Sequence, residues 1–233
     1  MKITGWGQYP EIDAQIIKPA AEQEILQRLS ATEQPPLIGR GLGRSYGDSS
    51  LASTMLDMTA LDNFIAFDEE SGILRCAAGV SLDDILKVFV PKGWFLSITP
   101  GTRYVTVGGA IASDVHGKNH HKEGCFSDFV TTLKIATVAQ GIVECSRQQH
   151  ADLFHASCGG MGLTGIIVEA TLQLKKITSA FIDETIIKTS NLQQTLNLFE
   201  QSYCLKSPQI KPLLMNKGRC ANTFVRRLAK LLA

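Results

Sequence analysis

The sequence predicts an α+β fold in which helices and several small sheets follow one another along the chain. Stretches with helical spacing of apolar residues alternate with short stretches of strand character. Neither an internal repeat nor a low-complexity linker interrupts them. The chain of 233 residues is long enough to bury a sizeable core, so we expect one large domain or two smaller ones.

The first predicted helix covers 19–31, where Ile25 and Leu29 fall on one face. Two prolines directly after it favour an extended backbone, so a strand is expected to lead to Gly39. The other segments of strand character are 55–58, 73–78, 132–139, 142–146 and 165–175.

A second helix is predicted over 82–90. Ser81 suits its N-cap, and Asp83 and Asp84 place negative charge in the first turn, where the helix dipole favours anions. The Pro-Lys-Gly sequence at 91–93 ends it.

A hairpin is predicted further along the chain. Gln140 and Gly141 separate two segments of strand character and suit a tight turn. A short helix over 152–157 follows. A strand and a helix capped by Ser190 are expected within 179–200.

The composition excludes several classes of function. Basic and acidic residues nearly cancel, 23 against 22, so no nucleic acid partner is expected. The first residues lack the apolar core of a secretory signal, and no run of about 18 apolar residues occurs. We therefore expect a cytoplasmic protein. Its six cysteines are scattered without a C-x-x-C pair, which predicts reduced, mostly structural thiols.

The most unusual stretch is the first glycine cluster, residues 39–49, which begins GRGLGRSYGD. It lacks the Gly-Lys-Ser/Thr of a Walker loop, and Arg44 or Tyr46 stands where a dinucleotide fingerprint needs its third glycine. Closely spaced glycines can turn successive backbone N–H groups toward an anion, with Arg40 and Arg44 supplying charge. A glycine-rich turn with solvated arginines is the alternative, and the loop alone does not decide between them.

Two further glycine clusters favour the binding interpretation. The second glycine cluster, residues 100–117, carries small residues through its second half, and the third glycine cluster, residues 159–165, precedes a strand. Small side chains let the backbone approach a large flat ligand closely. Three separate clusters are hard to explain as three unrelated turns.

Together the stretches GRGLGRSYGD, PGTRYVTVGGAIASDVHGKNHH and GGMGLTGIIVEATLQL resemble the flavoproteins of the vanillyl-alcohol-oxidase type, which carry a PCMH-type FAD-binding domain. The resemblance covers residues 5–178. It implies an FAD-binding domain of two α/β subdomains over 1–178, followed over 179–233 by the start of a substrate (cap) domain that is largely missing, with a basic tail. Within the family, the motifs are most similar to the branch that oxidises decaprenylphosphoryl-β-D-ribose for cell-wall arabinan synthesis.

The resemblance also implies which residues contact FAD. The backbone of the first glycine cluster and of 106–109 would hold the pyrophosphate, and other positions would line the rest of the site. The implied contacts are Gly39, Arg40, Gly41, Leu42, Gly43, Arg44, Ser45, Tyr46, Gly47, Asp48, Ser49, Gly101, Thr106, Val107, Gly108, Gly109, Ser113, Asp114, Val115, His116 and Ile167.

The implied chemistry is hydride transfer from a carbon that bears a hydroxyl to FAD, while a base takes the hydroxyl proton. In the resembling branch this carbon is C2′ of the lipid-linked ribose, and a short-chain reductase partner completes an epimerisation. Tyr46, His116 and Lys118 match positions that face the flavin or the sugar. A packed tyrosine, a structural histidine and a solvated lysine are the alternatives.

Metal and covalent flavin are not expected. His116, His120 and His121 could be considered metal ligands, but the adjacent histidines are expected to point apart, and no carboxylate beyond Asp114 and Glu123 is placed to complete a site. Many relatives attach FAD through a histidine in the first glycine cluster. Arg44 occupies that position here, and a permanently protonated guanidinium cannot attack the flavin, so FAD should bind non-covalently.

The resemblance ends before the chain does. After Glu200 the sequence carries basic residues but no acidic one. This last segment could be a basic amphipathic end that contacts a partner or the inner face of a membrane. Alternatively, it could be out-of-frame or residual sequence from a truncated gene. We favour truncation because the substrate-domain pattern disappears near Tyr203. Two functions are therefore open, an oxidase and a flavin-binding remnant without turnover, and we expect no useful oxidation by this chain alone.

Overall fold

The computed structural model describes residues 1–31, 36–181 and 187–203, with side chains described to residue 198. The basic residues that follow Tyr203 and the strand expected just after residue 179 fall largely or wholly outside these ranges. The strands are β1 (Lys2–Thr4), β2 (Glu11–Asp13), β3 (Gln15–Ile17), β4 (Leu37–Arg40), β5 (Thr54–Asp57), β6 (Phe64–Asp68), β7 (Ile73–Ala77), β8 (Trp94–Leu96), β9 (Val130–Thr137), β10 (Gly141–Ser146) and β11 (Ile166–Lys176). The α-helices are α1 (Glu22–Leu29), α2 (Leu82–Phe89), α3 (Val107–Ala112), α4 (His120–Glu123), α5 (Ala151–Ser157) and α6 (Leu192–Tyr203).

The strands form three sheets. β1 and β2 make an antiparallel hairpin, β3, β5 and β4 make a parallel sheet in that order, and the largest sheet has the order β10-β9-β11-β7-β6 with β8 paired to the end of β11. The largest sheet is antiparallel throughout. The predicted α+β class is thereby confirmed.

Strand β11 organises the large sheet because it pairs with β9, β7 and β8. Buried and half-buried residues alternate along most of it, as expected for a strand with one face on the core. The predicted hairpin is confirmed between β9 and β10. Gly141 begins β10 with φ of +69°, a conformation that glycine adopts without strain.

Helix α2 covers one face of this sheet. The Ser81 hydroxyl accepts a hydrogen bond from the amide of Asp84 at 3.1 Å, which confirms the predicted N-cap. The helix packs its apolar face into the largest core cluster together with β7, β8, β9 and β11. Its five buried residues are Leu82, Asp83, Ile85, Leu86 and Phe89.

Helix α1 joins the small parallel sheet to the large one. Ile25 is fully buried between Leu56 of β5 and Ile166 of β11. Lys134 of β9 adds an ion pair to Glu22, with Nζ to Oε1 at 3.1 Å. The packing of α1 therefore fixes the two sheets against each other.

The parallel sheet positions the first glycine cluster. Parallel neighbours cannot be joined by a tight hairpin and need a connection of about a dozen residues. Residues 41–53 provide this connection from the carboxyl end of β4 to β5. Ligands of parallel sheets bind at the carboxyl ends of the strands, so the cluster lies where a site is expected.

The predicted cap of α6 is wrong by one residue. The Asn191 side chain, not that of Ser190, accepts the hydrogen bond from the amide of Gln194, at 2.9 Å. Ser190 instead acts as a donor: its backbone amide donates to Oε1 of the Gln194 side chain at 2.8 Å. Asparagine competes equally well for the N-cap position, so the sequence favoured neither residue strongly.

The cysteines within the described ranges are free thiols, in agreement with the predicted structural role. Burial raises the pKa of Cys76 to about 12 and those of Cys145 and Cys158 to about 11. These three thiols therefore stay protonated at neutral pH. In the part of the chain that the structure describes, no helix is long and apolar enough to cross a membrane.

Candidate functional site

The fold brings the three glycine clusters into contact. A Cβ atom added to Gly41 would overlap the Thr106 hydroxyl and lie 2.9 Å from its methyl group, so the first and second clusters touch at backbone distance. The amide of Gly159 donates to the carbonyl of Ile111 at 3.0 Å, which joins the third cluster to the end of α3. Segments far apart in the sequence thus share one surface.

The first glycine cluster offers a run of free amide groups. Among the described residues, none accepts a hydrogen bond from the backbone N–H groups of 42–50. Gly43, Gly47 and Ser50 have φ of +66°, +57° and +58°, and such left-handed residues between ordinary ones turn neighbouring N–H groups toward a common side. These donors have no acceptor within the described chain and lie at the surface, so they are available to an anionic group as well as to water.

Arg40 fixes the shape of this loop. Its Nη2 donates to the carbonyl of Thr4 at 2.7 Å and its Nη1 to that of Ser50 at 3.1 Å. Burial lowers the pKa of the guanidinium from its ordinary value, and the Asp57 carboxylate opposes that shift. The side chain thus bridges the two ends of the loop to the amino-terminal hairpin, in addition to carrying charge.

Arg44 connects the first cluster to two other segments. Its guanidinium carbon lies 4.7 Å from the centre of the Trp6 ring, within the range of a cation–π contact. Its Nε donates to the carbonyl of Tyr104 at 3.3 Å. Sequence reasoning missed Trp6, because a tryptophan between two glycines in a short hairpin carries no periodic signal.

In the second cluster, the amide groups of 107–109 are not free to bind a ligand, but the glycine backbone leaves room for one to come close. The amides of 107–109 already donate, at 2.8 Å to the carbonyl of Val80, at 2.8 Å to that of Ala78 and at 3.1 Å to the Thr106 hydroxyl. Gly109 lies inside α3 and has no positive φ. The exposed backbone here can still touch a flat ligand, since glycine leaves it bare.

The segment after α3 is held by its own contacts. The Asp114 carboxylate accepts from the amide of Ser127 at 2.9 Å, and the Ser113 amide donates to the carbonyl of Gly109 at 3.1 Å. His116 then pairs through its backbone with Cys125 in a single antiparallel bridge. These contacts set the path of 113–116 past the end of α3.

The three candidate catalytic side chains are accessible. Tyr46 is 72% exposed, and His116 and Lys118 are exposed as well. The rings of His116 and His120 lie 5.1 Å apart. Asn119 anchors this turn, since its Nδ2 donates to the carbonyl of Ser97 at 3.1 Å. No hydrogen bond among the described residues joins Tyr46 to His116 or Lys118.

The neighbouring histidines lie closer together than the sequence argument assumed. The rings of His120 and His121 are 5.8 Å apart and nearly perpendicular, because both belong to the short helix α4. Within the described ranges, no group of three or more His, Cys, Asp or Glu residues could hold a metal ion.

The other residues predicted to contact FAD differ in how accessible they are to a ligand. The Ile167 side chain is buried in the core, so only its backbone could line a ligand. At Gly47 and Gly101 an added Cβ would meet nothing within 4 Å, and at Gly109 it would meet only the Thr106 hydroxyl, at 3.1 Å. Free donors beside bare, open backbone fit a flat ligand that carries phosphate groups.

Comparison with known proteins is consistent with this geometry. The family model described as FAD binding domain matches residues 14–146. Decaprenylphosphoryl-β-D-ribose oxidase of Mycolicibacterium smegmatis is 36% identical over 84% of this chain and 44% of its own length. L-Gulonolactone oxidase of Mus musculus is 28% identical over 67% of this chain and 36% of its own length. The chain thus spans less than half the length of these relatives.

Proposed function

The chain belongs to the FAD binding domain family, and we propose that it serves as the FAD-binding part of an oxidoreductase that oxidises a sugar hydroxyl. The observation that carries the proposal is the run of free amide groups at 42–50, which lies beside the bare backbone of the second cluster. A phosphate-bearing flavin cofactor needs both features.

In this proposal the first glycine cluster binds the pyrophosphate. Its unpaired N–H groups donate to the phosphate oxygens, and charge from Arg44 adds to their attraction. Gly41 lets the first cluster pack against Thr106, and Gly109 keeps the surface free of a side chain where the cofactor approaches. Because Arg44 replaces the linking histidine, FAD is held by these contacts alone.

FAD, when bound, accepts the hydride of the alcohol carbon. The chain's own contribution is to orient the alcohol and remove its hydroxyl proton, which leaves a carbonyl group. Tyr46, His116 and Lys118 are the candidates for this work, since all three are exposed. Histidine is the side chain that most often serves as a general base in enzymes.

We further propose a polyprenyl-phosphate sugar as the substrate, oxidised at C2′ as in decaprenylphosphoryl-β-D-ribose. Support comes from the 36% identity to the mycobacterial ribose oxidase over 84% of this chain. A short-chain reductase would then act on the keto product. A lipid-linked substrate would also bring the protein into peripheral contact with the inner face of a membrane.

A flavin-binding role without turnover is the second candidate. The exposure of Tyr46, His116 and Lys118 favours this second candidate, because a site open to water neither excludes solvent nor holds a base against the substrate hydroxyl. The two candidates share FAD binding and differ only in whether an alcohol reduces the bound flavin.

A chimera tests the proposal. Residues 1–178 of this chain would replace the matching part of the mycobacterial ribose oxidase, and flavin absorbance would be followed anaerobically after mixing with decaprenylphosphoryl-ribose. We expect the chimera to bind FAD and to be bleached, and His116→Ala in the chimera to slow bleaching about 10²-fold or more. A chimera with full FAD content that this substrate does not bleach would exclude the sugar assignment and support the second candidate.

A further inference from the structure

The amino-terminal hairpin contacts the first glycine cluster at several points, although it lies outside the range 14–146 that the family model matches. The carbonyl of Thr4 accepts from Arg40 at 2.7 Å. The amide of Trp6 donates to the carbonyl of Ser45 at 2.8 Å. The hairpin therefore meets the loop at its start and at its middle.

Gly5 makes the approach between these two contacts possible. A Cβ atom on Gly5 would lie 2.7 Å from the carbonyl oxygen of Ser45 and 3.2 Å from that of Gly47. Both neighbours are backbone atoms, which cannot rotate out of the way as a flexible side chain would. The hairpin and the loop thus pack backbone against backbone.

The Trp6 side chain adds a further contact, with the side chain of Arg44. The Arg44 guanidinium stacks on the Trp6 ring and also donates to the carbonyl of Tyr104 in the second cluster. One arginine therefore connects the hairpin, the first cluster and the second cluster. The loop has left-handed residues and lacks regular hydrogen bonds of its own, so these outside contacts decide its conformation.

We propose that Trp6, with Gly5, is a positioning residue for the cofactor, and that the amino-terminal hairpin holds the first glycine cluster in the conformation that binds FAD. A loop that must be ordered on binding loses affinity by the free energy of ordering, and a loop held in place beforehand does not. The proposal rests on the proposed function only for the identity of the ligand. The mechanical role of the hairpin stands apart from it.

The test uses FAD-free protein and two readouts. The first is limited trypsin digestion, in which mass spectrometry follows cleavage of the Arg44–Ser45 bond and, for comparison, cleavage after Lys134 in β9. Trp6→Ala should speed cleavage at Arg44 about three- to tenfold and leave cleavage after Lys134 unchanged. The second readout is the FAD dissociation constant, which should rise about three- to tenfold.

Matched variants separate positioning from general destabilisation. Trp6→Phe keeps an aromatic face for Arg44 and should stay within about twofold of the unaltered protein in both readouts. Glu11→Ala lies in the same hairpin and removes only an exposed ion pair with Lys2, so it should change neither. Should Trp6→Ala fail to fold, Gly5→Ala takes its place, because it removes no side chain and displaces Ser45.

The possible results are distinct. If Trp6→Ala and Gly5→Ala leave both the Arg44 cleavage rate and the FAD affinity unchanged, the hairpin has no positioning role. If cleavage after Lys134 accelerates equally, Trp6 supports the whole fold and the proposal is overturned. If the unaltered protein does not bind FAD, the proposed function fails, and the trypsin readout still decides the role of the hairpin.

Discussion

Gly41 lies directly against the side chain of Thr106, so close that any other residue in place of the glycine would have to displace that side chain or one of the two segments. The same Thr106 hydroxyl accepts the amide of Gly109 and so caps α3. One threonine therefore sets the spacing between the first two glycine clusters and the path of the helix that follows. The shape of the site depends on this contact.

The state of the cofactor gives the first prediction. FAD should be released into solution when the protein is denatured with trichloroacetic acid, because a guanidinium, here that of Arg44 stacked on Trp6, is not a nucleophile and cannot form a bond to the flavin. The measurement is flavin fluorescence in the supernatant and in the washed pellet. Fluorescence that stays with the pellet would contradict the prediction.

A second prediction concerns Gly109. Gly109→Val should abolish FAD binding, because the added side chain fills the open space beside the Thr106 hydroxyl. The fold should persist, since Gly109 is exposed and its φ is ordinary for a helix. FAD titration and thermal unfolding measure the two effects. Ala66→Val, a similar change at an exposed position of β6, is the control and should bind FAD normally.

Glu169 gives a third prediction, about acid stability. Burial raises the pKa of Glu169, but hydrogen bonds from Arg75 and Lys134 outweigh burial, so its pKa lies below the ordinary value. A carboxylate of this kind stabilises the fold above its unfolded pKa, about 4.3, and the contribution is lost as the pH falls through the lower folded value. Glu169→Gln should therefore lower the free energy of unfolding by about 1–2 kcal/mol at pH 7.

The pH dependence of this cost separates charge from packing. Urea unfolding gives the free energy of unfolding of the unaltered protein and of Glu169→Gln. The difference between these two free energies should shrink as the pH drops below about 4. Glu70→Gln, at an exposed position, should show no difference at any pH. A cost for Glu169→Gln that is the same at pH 7 and at pH 3 would exclude the electrostatic explanation.

The accessibility of the candidate base gives a fourth prediction. The FAD-loaded chain on its own should not be reduced by decaprenylphosphoryl-ribose within seconds, because Tyr46, His116 and Lys118 are exposed to water and the described residues provide no enclosure around them. General-base catalysis is worth about 10²–10⁴-fold only when the base is positioned on its proton. Anaerobic stopped-flow absorbance is the measurement, and rapid bleaching would show a complete site.

The sequence predicts correctly those helices and strands whose ends are set by nearby residues, such as capping residues and turns. The start of α2 follows from Ser81 and the two aspartates after it, its end follows from the Pro-Lys-Gly sequence at 91–93, and the β9–β10 hairpin follows from its turn. By contrast, β1, β2 and β3 have three residues each and too little pattern to be recognised. Helix α3 contains two adjacent glycines, which disfavour a helix, and forms because neighbouring carbonyls bind its first amides.

The site was predictable to a similar degree. The glycine clusters are visible in the sequence because bare backbone requires a particular residue type. The amide bonds of 107–109 and the packing of Trp6 on Arg44 depend on which segments the fold brings together, so no local pattern reports them. Sequence reasoning thus selected the three glycine clusters that the fold brings together, and their contacts with FAD stay a prediction.

The place of β11 in the large sheet has a consequence for biosynthesis. This strand comes after its partners β7 and β9 in the chain but lies between them in the sheet. β7 can pair at once with β6, which precedes it, but a ribosome adds about 5–20 residues per second, so β11, its second partner, emerges on the order of 5–20 seconds later. During that interval the nascent chain exposes unpaired strand edges and an unfilled core, which are the features that chaperones bind and that lead to aggregation in their absence.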